Sequence, residues 1–291
     1  MSLGANVGIA LAKTVAAVIT RSGSMLAEAL HSFSDCANQV LLLVGNKQAQ
    51  KPPTAEYPLG QGRASYFWSF VVALMLFFGG GVVAIWEGVE KVHHPEHVEK
   101  VMVAFGVLLF SLVLEGVSLA GCVKEIRAEA NGRGLLETLR ETKNADLVVV
   151  TGENFAAVVG LALAAVFLGI AALTGNGLWD GIGSISIGVV LVGIAFFLAR
   201  ESQSLLLGER ADPAVEAGVR EALSADARLE GLLRLISIQQ GPGEVVLAMK
   251  VKVKSGITSD ELVAAINEFE TRVRARLPEV KWQFVEPDFE E

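Results

Sequence analysis

At 291 residues, with 52% hydrophobic and 19% charged positions and a mean hydropathy of +0.49, the chain is too apolar for an ordinary soluble protein. A net charge of −8 with no basic stripe excludes a protein built to hold nucleic acid. The two cysteines, Cys36 and Cys122, lie in apolar runs and form neither a disulfide framework nor a Cys-x-x-Cys motif, so they read as core thiols.

A helix needs about 20 predominantly apolar residues to cross a bilayer. In chain order, six segments are expected to do so: 5–20, 25–46, 66–89, 101–122, 147–173 and 178–199. The first is short and reads as a retained helix, because no small-residue cleavage site of the signal-peptide kind follows it. The second is interrupted by polar residues. Charge density becomes ordinary after Arg200, which divides the chain into a six-helix transmembrane domain, 1–200, and a tail, 201–291.

Lys and Arg in short loops tend to stay on the cytoplasmic side. With both termini in the cytoplasm, the inner loops hold Lys47, Lys51, Arg63, Lys124, Arg127, Arg133, Arg140 and Lys143, and Arg200 follows the last span. The outer loops hold only Arg21, Lys91 and Lys100. The expected setting is therefore an integral, multi-pass protein of a bacterial inner membrane with both termini cytoplasmic. The glycines at 79–81 and Gly181, Gly183 and Gly188 read as sites of close helix approach. No internal repeat is visible, so an inverted-repeat architecture is not supported.

In the tail, Asp212 followed by Pro213 starts a helix with Val215, Val219 and Leu223 on one face. Leu232–Gln239 and Val245–Val253 read as two strands around the turn QGPGE, the second alternating Met249, Val251 and Val253 with Lys250, Lys252 and Lys254. Thr258 and Glu261 form a capping box for a helix carrying Leu262, Ile266, Phe269, Val273 and Leu277, and Trp282 and Phe284 mark a last strand. The order αββαβ gives a small cytoplasmic α+β domain, without His or Cys and too small to suit an enzyme.

The second span contains AEALHSFSDCANQ, residues 27–39, in which Glu28, His31, Asp35 and Asn38 are spaced by three, four and three and form one helical stripe. Ionisable groups at membrane depth are costly and face a bundle interior or an aqueous cavity. A His and an Asp one turn apart can chelate a divalent cation from one face. Glu28 lies near the outer end of its span, where solvation is as consistent as function, and Asn38 serves equally as a packing amide. The fifth span supplies Glu153, with Asn154 beside it, in DLVVVTGENFAAVVG; Glu153 would complete a site with His31 and Asp35.

AEALHSFSD, followed by KPPTAEYPLGQGR and a Gly-rich third span, resembles the cation diffusion facilitator family of zinc transporters. In that family the second span carries HxxxD or DxxxD and the following loop reads close to RPxDxxHPxGHGR. The chain is most similar to a divergent branch containing a mitochondrial zinc transporter. The resemblance runs from about Asn6 to the end of the chain and implies a dimer that moves divalent metal out of the cytoplasm in exchange for protons, with no resident cofactor and no enzymatic step. It also implies two metal ligands from the second span, His31 and Asp35, and two from the fifth. There Glu153 matches the family's Asp, but Val149 stands where the other ligand belongs, leaving water, Asn154 or Asn38 for the fourth position.

Tyr57 and Gln61 stand where family members often carry His, so no auxiliary metal site is expected in that loop, and the His-free tail is expected to act without zinc. His93, His94 and His97, in EKVHHPEHVEK, read as an interfacial loop more than as a site for released metal.

The implied mechanism is alternating access. Ligand His must be neutral and carboxylates ionised, so metal affinity falls with pH, and His31 is the residue expected to carry the exchanged proton because imidazole ordinarily titrates near neutrality. Zn²⁺ is the expected substrate, with Mn²⁺, Fe²⁺ and Co²⁺ as alternatives for the same donor set. A membrane scaffold or metal sensor acting through the tail is the reading from another class. An intramembrane hydrolase lacks a nucleophile, since Ser32 and Ser34 lie off the stripe.

Overall fold

The computed structural model describes residues 3–290 apart from Glu96, His97, Glu99, Asn131 and Arg133. His97 of the outer histidine motif and Arg133 of the loop-charge pattern thus lie outside the described residues. The chain divides into two compact units. The first comprises residues up to Gly45, Phe67–Arg140 and Ala145–Gln203; the second comprises Asn46–Tyr66, Glu141–Asn144 and Ser204–Glu291.

The first unit is helical. Its helices are α1 (Leu3–Thr20), α2 (Gly23–Ala49), α3 (Arg63–Met75), a π-helical segment (Leu76–Val82), α4 (Val83–His93), α5 (Val101–Glu129), the short α6 (Leu135–Glu141), α7 (Ala145–Thr174) and α8 (Leu178–Leu207). Among the described residues, four stretches are long and apolar enough to cross a membrane: Ala64–His93, Val101–Ala128, Ala145–Thr174 and Leu178–Leu207.

The difference from the six expected spans lies in α1 and α2. The apolar part of α1, Asn6–Thr20, is too short by that standard. Helix α2 has 27 residues, about 40 Å at 1.5 Å per residue, but Glu28, His31, Asp35, Asn38 and Lys47 dilute its apolar character. Both nevertheless turn apolar side chains outward: Leu11, Val15 and Val18 on α1 and Leu43 on α2 are each more than half exposed.

Small residues bring these helices together. The core of the unit is rich in alanine, including Ala16, Ala27, Ala84, Ala104, Ala156 and Ala164. Gly81 and Gly88 face Gly188 and Gly181 of α8 so closely that a Cβ on Gly188 would fall 2.7 Å from the Gly81 carbonyl oxygen, and one on Gly88 2.7 Å from that of Gly181. Only glycine permits that approach, in which van der Waals packing replaces the hydrophobic drive that lipid does not supply.

At the start of α2, Asp180 of α8 serves as its cap. The Asp180 carboxylate accepts hydrogen bonds from Ser22 Oγ (2.7 Å), Gly23 N (2.5 Å) and Ser24 N (3.2 Å), and Lys91 Nζ lies 3.5 Å away. An anion there satisfies amides that have no partner within the helix.

The second unit holds α9 (Pro213–Ser224), β1 (Leu229–Gly241), β2 (Glu244–Val253), α10 (Ser259–Arg276) and β3 (Val280–Asp288), the order αββαβ. The sheet order is β1-β2-β3, with β1 and β2 antiparallel (Ile236 opposite Ala248) and β2 and β3 parallel (Val246 opposite Trp282). Val245, Leu247, Met249, Val251 and Val253 are buried on one face, where they meet Val215 and Val219 of α9 and Phe269 and Val273 of α10. Asp212 caps α9 through Ala214 N (2.8 Å), and Thr258 and Glu261 form the expected capping box on α10.

The PLGQGR loop belongs to this unit. Gly60 has φ +73°, in the left-handed region, and a Cβ on Gly62 would fall 3.0 Å from Gly241 Cα and 2.9 Å from the Gln240 carbonyl oxygen. Arg63 Nη1 donates to the Leu206 carbonyl at 3.4 Å.

Candidate metal site

The middle of α2 carries the polar stripe, and helical spacing directs it into the bundle. Glu28, His31 and Asn38 are fully buried and Asp35 nearly so. His31 Nδ1 stands 3.5 Å from Asp35 Oδ1 without hydrogen-bond geometry, and both ring nitrogens of His31, Asp35 Oδ1 and Asn38 Oδ1 have no hydrogen-bond partner. A buried polar group left in this way costs about 1–3 kcal/mol.

Helix α7 packs beside α2 and brings Glu153 to the stripe, where Asn38 Nδ2 donates to Glu153 Oε1 at 2.6 Å. Glu153 is also buried and lies within electrostatic reach of Asp35. Seven residues on, and on the same side of α7, Gly160 leaves the space into which Glu28 Oε1 projects; a Cβ there would lie 2.4 Å from that oxygen. Ala156 and Ala157, between them on the same side of α7, are also buried.

The structure thus brings His31, Asp35, Asn38 and Glu153 to one seam. It does not bring Asn154 there. One residue along a helix is a rotation of about 100°, and Asn154 Nδ2 faces α5 instead, donating to Cys122 Sγ at 3.3 Å. Nor do the donors close around one point: among the described residues, no group of three or more His, Cys, Asp and Glu side chains is gathered as a metal cage.

Of the two readings left open for Glu28, solvation is not the one found: it is fully buried, and Lys13 of α1, also fully buried, reaches it at 3.1 Å and donates to Ser32 Oγ at 2.8 Å. Glu115 of α5 lies within electrostatic reach of the same groups. Sequence reasoning overlooked Lys13 and Glu115; the signal was present, since Lys13 is the single charge in α1 and Glu115 interrupts an otherwise apolar stretch of α5.

At the other end of the bundle, His93 Nδ1 contacts the Val89 carbonyl oxygen of its own helix at 2.8 Å, and His94 lies 4.0 Å from Glu90. In the PLGQGR loop, Tyr57 closes a turn with Thr54, and Gln61 accepts from Gln48 Nε2 at 3.2 Å.

Residues 1–207 match the family model described as the cation efflux transmembrane domain. The chain is similar to the proton-coupled zinc antiporter SLC30A9, mitochondrial, of Xenopus laevis, 30% identical over 264 residues, covering 88% of this chain and 47% of that protein. The protein of that name from Homo sapiens is 29% identical over 270 residues, 89% of this chain and 48% of the relative. Metal tolerance protein C4 of Arabidopsis thaliana is 31% identical over 223 residues, 75% and 48% of the two chains. The chain spans about half the length of these curated relatives.

Proposed function

Since the chain belongs to the cation efflux family of integral, multi-pass membrane transporters, we propose that it moves Zn²⁺ out of the cytoplasm in exchange for protons, by alternating access along the α2–α7 seam. His31, Asp35 and Glu153 are the ligands in this reading. Asn38 is the fourth, in preference to Asn154, whose amide is engaged with Cys122.

The observation that carries the reading is the set of buried, unpartnered donor atoms on α2: both His31 nitrogens, Asp35 Oδ1 and Asn38 Oδ1. These are the lone pairs a cation needs, held where no solvent competes for them. Half a turn of the Asn38 amide exchanges its Nδ2 for its oxygen opposite Glu153, converting a hydrogen-bonded pair into two oxygen ligands. The carboxylates and imidazole bind metal only when deprotonated, so protonation on the far side releases it.

The names of the relatives support zinc and proton coupling; the donor set of one imidazole, carboxylates and an amide also admits Mn²⁺, Fe²⁺ and Co²⁺. Six spans, both termini in the cytoplasm and a homodimer complete the reading, with a bacterial inner membrane as its setting. The Lys and Arg distribution supports the orientation. The uncollected ligands favour a second reading, a metal sensor that no longer transports and acts through the αββαβ unit.

Flux into proteoliposomes with an imposed pH gradient separates the two. Transport of Zn²⁺ above Mn²⁺ and Fe²⁺, driven by the gradient and lost in Asp35→Ala and Glu153→Ala, is the expected result. No flux of any of these ions by the unaltered chain would leave the sensor reading in its place.

A further inference from the structure

The Lys13–Glu28 pair lies in the same seam as the proposed ligands and has no part in the mechanism above. Lys13 sits in α1 with nothing exposed, Glu28 in α2 likewise, and their contact of 3.1 Å is supplemented by the Lys13 bond to Ser32 Oγ. Only one oxygen of Glu28 is used. Oε1 has no partner, although it is buried, and it points into the gap that Gly160 leaves on α7.

His31 is one turn further along the stripe, and residues three apart on a helix have Cβ atoms about 5–6 Å apart. Both His31 nitrogens are likewise without partners. A carboxylate oxygen and an imidazole nitrogen, each buried and unsatisfied, therefore stand on adjacent turns facing the same neighbouring helix.

Resting on the transport reading, we propose that Glu28 is an exchangeable metal ligand that Lys13 holds off the cation path, the Lys13 ammonium taking the place beside Glu28 that the divalent ion occupies when Glu28 joins His31. Charge explains the pairing: a carboxylate buried at membrane depth needs a cation beside it, which Lys13 supplies while the site is empty and the divalent ion supplies when Glu28 joins it. A donor incompletely available in the resting arrangement binds with an affinity lowered by the fraction of time it is free.

Zn²⁺ affinity of the full chain in detergent, measured by competition with a fluorescent chelator, tests this through a double-mutant cycle. Lys13→Gln frees Glu28 and should tighten binding about tenfold, as expected when a donor available about a tenth of the time becomes permanently available. Glu28→Gln should weaken it about tenfold on the same scale, and in the Glu28→Gln background Lys13→Gln should bring no gain.

An equal gain in both backgrounds would mean that Lys13 acts through its field alone, and unaltered affinity in Glu28→Gln would mean that Glu28 binds nothing; either overturns the proposal. Ser32→Ala loosens the clamp while keeping both charges. It should tighten binding modestly, about threefold by loss of one hydrogen bond, and only where Glu28 is present, so the cycle can be run with it if Lys13→Gln fails to fold. Asp35→Ala separates the failures: loss of Zn²⁺ binding there with a flat Lys13–Glu28 cycle sinks this inference alone, whereas binding that survives Asp35→Ala sinks the site reading and this one with it.

Discussion

Helix α2 carries buried polar groups at its start and in its middle, and the two are treated in opposite ways. At the start, Asp180 takes Ser22 Oγ, Gly23 N and Ser24 N and has Lys91 within ion-pair distance. In the middle, His31, Asp35 and Asn38 together leave four donor or acceptor atoms without partners. Each such atom, left without a partner, costs about 1–3 kcal/mol against its solvated state. A fully partnered group holds the fold together. In the proposed reading a group left open is held for a ligand, and the contrast would then separate the two roles within a single helix.

The largest effect that would break this distinction belongs to Asp180→Ala. Removing the carboxylate leaves the Ser22 hydroxyl, two backbone amides and the Lys91 ammonium without their common acceptor. The expected loss is about 3–5 kcal/mol, as for a buried pair stripped of one member. Thermal unfolding of the full chain in detergent measures it. An unshifted midpoint would mean that partnered burial at this end contributes nothing, and the comparison would lose one of its sides.

Much of this could be read from the residues alone. The capping signals at Asp212–Pro213 and Thr258–Glu261 are local, depending on a few residues and their own backbone, and both caps formed as expected. Strand β2 was legible because one face is buried, so burial alternates with the sequence. Helical spacing likewise determined which side of α2 carries His31 and Asp35.

What was not legible depends on which helix lies opposite. Asn154 neighbours Glu153 in sequence, but turns toward Cys122. Glu28 looks solvated until Lys13 of another helix is placed against it. The need for glycine at Gly62 of PLGQGR comes from Gly241 of a strand far along the chain, which the loop's own residues do not reveal. Spans fall in between: among the described residues length and hydropathy identify four, while α1 departs from the pattern because it is short and α2 because it carries the stripe.

A smaller effect extends the comparison to the second unit, where Asp226 is a buried carboxylate of the partnered kind. Arg228 donates to it from Nε (2.9 Å), Nη2 (2.7 Å) and its backbone N (3.0 Å), and Arg272 Nη2 lies 3.4 Å away. The Arg228 side-chain hydrogen bonds, foremost, hold the Asp226 carboxyl well below the usual carboxylate range against the opposing effect of burial. A depressed folded value means that the contribution is complete above the unfolded aspartate value of about 3.9 and is lost as pH falls through the folded one. Hydrogen exchange in α9 and β1 should therefore accelerate only below about pH 4. Asp226→Asn should remove about 2 kcal/mol at pH 7 and flatten that acid slope; an unchanged slope would assign it to other carboxylates.

The smallest expected change in stability is the most informative, because it is expected for a carboxyl group that is also largely buried, at 15% exposed. Asp35→Asn preserves the shape of the side chain and replaces a carboxyl group that the fold leaves unsatisfied, since Oδ1 has no partner and His31 stands 3.5 Å away out of hydrogen-bond geometry. Replacing an unsatisfied buried carboxyl group by an amide of the same shape removes no interaction that the fold uses, so the unfolding midpoint should stay within about 1 kcal/mol of the unaltered chain or rise. Zn²⁺ flux should nevertheless vanish, because an amide is a far poorer ligand than a carboxylate and holds no negative charge against the cation. A midpoint that falls as far as that of Asp180→Ala would make the stripe structural after all. Stability retained with flux lost places Asp35 in the transport path, its burial maintained for the ion and not for the fold.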